Sequence, residues 1–189
     1  MARTARISRD DIVAAAVELV RTQGHESLNA RALAAALGCS TQPILYRFAT
    51  MAEVREAAYQ AIDELHSTSL MARLESAPDP LLQLGLNYVR FAYDEPRLFR
   101  FLFQTDAFGG RDLQSLVAAP EVGELVGMVA QETGVDEARA RQVFLAIFVA
   151  AHGYASLLAN NSLAYDEDLV ARVLTSAYQG SLEMEGDAR

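Results

Sequence analysis

Lysine and tryptophan are absent from this 189-residue chain, and cysteine occurs once. A single thiol excludes an internal disulfide framework, so burial must hold the core, and the length suffices for that. Five prolines and eleven glycines are few, while Ala and Leu dominate. Long helices are therefore favoured, and the pattern contains no useful β-alternation, internal repeat or low-complexity tract. The three histidines, His25, His66 and His152, lie far apart without Cys companions, which argues against a zinc site. No phosphate loop, dinucleotide glycine pattern or nucleophile elbow is present, so neither an enzyme nor a cofactor is expected. With no lysine, every side-chain cation is a guanidinium, suited to forked contacts with phosphate or guanine, although a GC-rich coding bias produces the same absence.

The net charge of −9 conceals a split. Residues 1–50 carry six Arg against four acids, net +2, and residues 51–189 carry ten Arg against 21 acids, net −11. A basic head on an acidic body fits a DNA-reading module joined to a solvated partner domain. Asp10, Asp11 and Glu18 interrupt the first apolar stretch, against a secretory or transit segment, and the expected location is cytoplasmic.

Local signals predict an all-α fold of about nine helices. Ser8 and Asp11 form a capping-box pattern ahead of Ile12, Ala15, Ala16, Leu19 and Val20, giving a first helix over 8–22 that ends at Gly24. Asn29 caps a second helix over 30–37, Gly38 supplies a turn, and Ser40 is positioned to cap a third over 41–48 with Pro43 in its first turn. Thr50 begins a fourth helix expected to run to about residue 76, and Asp79-Pro80 and Pro96 start the fifth and sixth. Phe108-Gly109-Gly110 reads as a loop, Pro120 opens or kinks a seventh helix ending at Gly134, and Asp136 and Asp166 cap the last two, 136–161 and 166–180.

Two short helices joined by a glycine turn and packed on a longer one make a helix-turn-helix. Ser40, Thr41 and Gln42 occupy the entering turn with Pro43; a Gln amide pairs with adenine and a Thr methyl packs on thymine. Tyr46 and Arg47 can reach phosphates, Arg31 can reach a base or a phosphate, and Ile44, Leu45 and Phe48 are expected to face the core. An ordinary helical hairpin with solvated polar residues fits the same spacing. Cys39 is expected to fill a small apolar slot in the turn.

Residues 8–59 resemble the N-terminal domain of the tetracycline-repressor (TetR) family of bacterial transcriptional regulators. The resemblance runs through Ile12–Leu19, Gly24-His25-Glu26-Ser27-Leu28, Leu33-Ala34, Leu37-Gly38-Cys39-Ser40, Gln42–Phe48 and Glu53-Val54. It implies a repressor with a DNA-binding domain over 1–50 and a ligand-binding and dimerisation domain over 51–189, linked by the fourth helix. Leu45 stands where the family usually has an aromatic, and Met51 where it often has Lys. Arg3 and Arg6 precede the first helix, where an arm can enter a minor groove or simply be solvated. Asp94–Phe103 looks like the Pro-started sixth helix of many members. His152-Gly153 looks like a subgroup whose C-terminal domain is named for Trp, His and Gly, although this chain has no Trp.

Seven of the fifteen aromatics fall between Tyr88 and Phe108. Aromatic walls with a few polar groups build apolar ligand pockets, and aromatics at helical spacing also build plain cores. The candidate lining is Tyr88, Phe91, Phe103, Met128, Phe144, Phe148 and His152. No charge falls between Gln142 and Tyr165, but the convincingly apolar part, 143–159, is short for a membrane span. Burial in a homodimer interface with the last helix suits it better. The expected function is a homodimeric repressor that reads an inverted repeat in double-stranded DNA and is released by a small, largely apolar effector. The alternative is an all-α ligand-binding protein that keeps the helix-turn-helix as a scaffold.

Overall fold

A computed structural model describes residues 7–105 and 112–183 of the chain. Among them are ten α-helices and no strand: α1 (Arg9–Gln23), α2 (Ala30–Ala36), α3 (Gln42–Arg47), α4 (Met51–Leu70), α5 (Pro80–Asp94), α6 (Pro96–Phe103), α7 (Leu113–Val117), α8 (Gly123–Thr133), α9 (Glu137–Asn161) and α10 (Glu167–Glu183). The all-α expectation holds. The expected minor-groove arm at Arg3 and Arg6 and the loop at Phe108-Gly109-Gly110 lie outside the described residues.

The helix starts follow the local chemistry. Ser8 Oγ accepts from the Asp11 amide at 3.0 Å and Asp11 accepts from the Ser8 amide at 2.8 Å, a complete capping box. Asn29, Asp79, Asp136 and Asp166 each accept from a backbone amide in the first turn of α2, α5, α9 and α10. Thr50 accepts from the Glu53 amide at the start of α4.

Three expectations are corrected. Ser40 does not cap α3, because Thr41 occupies the cap position, with helical backbone angles and no side-chain bond. The fourth helix stops at Leu70, and the chain turns through Arg73, at a left-handed φ of 63°, into a 3-10 turn at Leu74–Ser76. A short α7 appears ahead of Pro120 because Asp112 accepts from the Ser115 amide at 2.7 Å; Pro120 then opens a 3-10 turn ahead of α8.

The helices form two compact units. One holds the described residues up to Ser67 together with Glu95–Thr105, so it contains α1–α3, most of α4, and α6. Its core comprises Ile12, Ala16 and Val20 from α1, Leu33 from α2, Ile44 and Phe48, Val54, Ala58 and Ile62 from α4, and Leu98, Phe99 and Leu102 from α6. Within this unit α6 is tied to α1: Arg21 Nε lies 3.0 Å from both Glu95 oxygens, and Arg97 donates to the Arg21 carbonyl.

The second unit holds Thr68–Asp94 and the described residues from 112 onward. There α9 is central, packed by α5, α7, α8 and α10. It buries Ala140, Val143, Phe144, Ile147, Ala151, Ala155, Leu158 and Ala159 at intervals of three and four, the seam of one helical face. α5 and α10 approach closely at Gly85, where a Cβ would sit 2.7 Å from Leu174 Cδ1.

Candidate nucleic-acid interface and effector residues

In the first unit, α2 ends in a Schellman motif. Gly38, at φ 63°, donates to the Ala35 carbonyl and Cys39 donates to that of Ala34. Only a residue at ease with positive φ turns the chain so sharply into α3, which is why glycine stands there. Cys39 is half-buried in this turn.

Ile44 and Phe48, one turn apart and almost fully buried, clamp α3 to the core. The opposite side therefore faces water. Gln42 is exposed, and Tyr46 is 77% exposed. Leu45 is 53% exposed, which corrects the expectation that it faces the core. Ile44 and Phe48 already occupy the inward positions, and Leu45 is about 100° round the helix from Ile44.

The remaining candidates lie on α2, in the turn and on α3. Arg31 on α2 and Ser40 in the turn are exposed, and Thr41 and Pro43 are half-buried. Arg47 is half-buried, with Nε donating to the Ile7 carbonyl at 3.3 Å and its guanidinium carbon 5.8 Å from the Tyr46 ring centre. Arg9, a residue the sequence reading did not single out, lies 4.0 Å over the Phe48 ring and donates to the Arg47 carbonyl. Its role is to brace the C-terminal end of α3, and no local signal marks it because the contact spans 38 residues.

In the second unit, the Tyr88 hydroxyl on α5 lies 2.9 Å from His152 Nδ1 on α9. Phe148 packs edge-on to Tyr88, with ring centres 6.1 Å apart, and stacks with Phe144 at the same separation. Four of the seven candidate effector residues thus form one aromatic cluster. Burial pushes the Tyr88 phenol far above its ordinary range and pushes the His152 imidazole down, so the pair is a neutral hydrogen bond. Phe91 is buried on the same helix as Tyr88, and Met128 on α8 is half-buried. Phe103 belongs to the first unit, where it packs edge-on against His66 at 5.1 Å and against Phe99 at 5.0 Å.

A cavity of about 190 Å³ opens elsewhere in the second unit, lined by Leu81, Ile147 and Leu174 below Asp79, Glu132 and Tyr178. None of the seven candidates lines it. Loss of water, followed by the fields of Glu132 and Asp79, raises the Tyr178 phenol above its usual pKa. Among the described residues, no three His, Cys, Asp or Glu side chains gather as a metal ion would require.

The tetracyclin repressor-like C-terminal domain family matches residues 81–178, from the first turn of α5 almost to the end of α10. The chain belongs to this family. It is a TetR-type transcriptional regulator, a class that is generally non-enzymatic. No curated protein matches the chain. The matched segment contains all seven candidate effector residues of this regulator, and the α2–α3 surface lies ahead of it.

Proposed function

We propose that this regulator is a homodimeric repressor whose two helix-turn-helix heads read successive major grooves of an inverted repeat. The observation that carries this reading is α3 itself: a short helix anchored by Ile44 and Phe48 that turns Gln42 and Tyr46 to water, with Arg31 and Ser40 also exposed in the preceding helix and turn. Gln42 and Thr41 face base edges with Ser40 and Pro43 at the entering turn, while Tyr46, Arg47 and Arg31 hold backbone phosphates.

The dimer uses α9 and α10. By length and composition α9 could cross a membrane, yet only 39% of its most apolar stretch is buried within the chain. Val149 at 47% and Leu157 at 54% exposure, with exposed Gly153 between them, leave an apolar strip that a second copy covers. A water-filled cytoplasm, not a bilayer, is the setting, because the same helix buries its other face on four neighbours.

The effector is small and mostly apolar, and Tyr88 and His152 are its polar contacts among Phe91, Met128, Phe144 and Phe148 of the second unit. It releases DNA by binding more tightly to the conformation whose heads are mis-spaced, since only differential affinity moves the equilibrium. α4 carries the change.

Footprinting of the purified protein on DNA flanking its own gene, across a salt series, tests this reading. A protected inverted repeat with log affinity falling steeply against log salt is expected. Gln42→Ala and Arg47→Ala should each lose specific protection. Unchanged binding by both variants, or no protection at low salt, would favour a helix-turn-helix kept only as a scaffold.

A further inference from the structure

We propose that Leu45 reads thymine, through the 5-methyl group of one T in each half-site, and that it does so beside an adenine read by Gln42. This inference rests on the reading of α3 as the DNA-reading helix and adds the base identity it selects.

Leu45 is more than half exposed although the helix around it is well anchored, and its neighbours toward the core, Ile44 and Phe48, are almost completely buried. The anchored helix therefore presents its isobutyl group to solvent. Gln42 lies three residues earlier, so an amide and an alkyl group are neighbours on the helix surface.

An alkyl side chain neither donates nor accepts hydrogen bonds, so Leu45 cannot grip a phosphate. The major groove offers it one apolar feature, the methyl group at C5 of thymine. Gln42 has the complementary requirement, because its amide matches the paired donor and acceptor of adenine. The two residues are about 4.5 Å apart along the helix axis, against about 3.4 Å between stacked base pairs. The adenine and the thymine thus fall within a base pair or two of each other.

The test starts from sites enriched by the full-length protein from a randomised duplex pool. Each thymine of the enriched site is then replaced by deoxyuridine, which removes only the methyl group. Replacing the contacted thymine should weaken wild-type binding about fourfold in one half-site and on the order of fifteenfold in both. Leu45→Ala, at an exposed helical position where it will fold, should bind the thymine and uracil sites equally. Wild-type affinity indifferent to every replacement, or a Leu45→Ala variant as sensitive as wild type, would overturn the assignment while leaving the regulator reading intact. A pool yielding no enriched sequence would instead overturn the reading of α3 as a DNA reader, and this inference with it.

Discussion

Acidification should weaken the first unit through one imidazole. His66 on α4 is 7% exposed and packs edge-on against Phe103. Burial disfavours its charged form and lowers the pKa from 6.5 to about 4. Above pH 6.5 the imidazole is neutral in both folded and unfolded chains, so it adds no pH dependence. Below 6.5 the unfolded chain takes up a proton that the folded chain refuses until about pH 4. Stability therefore falls as pH falls through that window, by about 1.4 kcal/mol per pH unit where the two states differ by one whole proton. The loss reaches about 2 kcal/mol at pH 5 and approaches about 3 kcal/mol near pH 4. His66→Leu removes the titration and keeps an apolar side chain of similar bulk. Urea unfolding followed by far-ultraviolet circular dichroism at pH 7.5, 6.5, 5.5 and 5.0 gives both stability curves. Carboxylates and His152 contribute to each, so the difference between the curves isolates His66. The variant should gain about 2 kcal/mol relative to wild type between pH 7.5 and 5.0. Curves that stay parallel within about 0.5 kcal/mol would refute the argument, as would an imidazole resonance of folded His66 that titrates near 6.5.

Phe48→Ala should cost about 3–5 kcal/mol, since it empties a core site and strips Arg9 of the ring beneath it. Hydrogen exchange should then speed up in α1–α3 with little change in α9. Gly85→Ala should cost about 1 kcal/mol, because helix propensity gains about 1 while the clash with buried Leu174 costs about 2. In a Leu174→Ala background the same change should stabilise by about 1 kcal/mol, read by urea midpoint; a loss in both backgrounds would exclude the clash as its cause. Tyr88→Phe deletes the hydroxyl bonded to His152 and should cost about 1 kcal/mol by urea unfolding. No loss would mean that the bond adds nothing net over solvation of the half-buried imidazole.

What the sequence determines here lies within four residues of itself. Ser8 with Asp11, Asn29, Asp79, Asp136 and Asp166 mark helix starts because each side chain bonds an amide two or three positions on. Gly38 and Gly134 mark ends because each adopts positive φ. The helix-turn-helix is such a local pattern, so its presence and the anchoring of α3 by Ile44 and Phe48 are legible in the chain. Asp112 carried the same kind of signal for α7, but five residues make a weak pattern beside a glycine-rich stretch. The end of α4 is not legible in the sequence because the left-handed turn at Arg73 has no glycine to announce it.

Orientation and partnership across distance belong to the tertiary structure. An apolar residue on a short helix can face either way by periodicity, and Leu45 faces water because Ile44 and Phe48 fill the inward positions. Tyr88 meets His152 across 64 residues, and Arg21 meets Glu95 across 74. Phe103 follows its Pro-started helix into the unit of α1, while Phe91, twelve residues before it, belongs to the other. Each of these depends on which helix packs on which. That is set by the summed burial of whole faces, a quantity no short window of sequence contains.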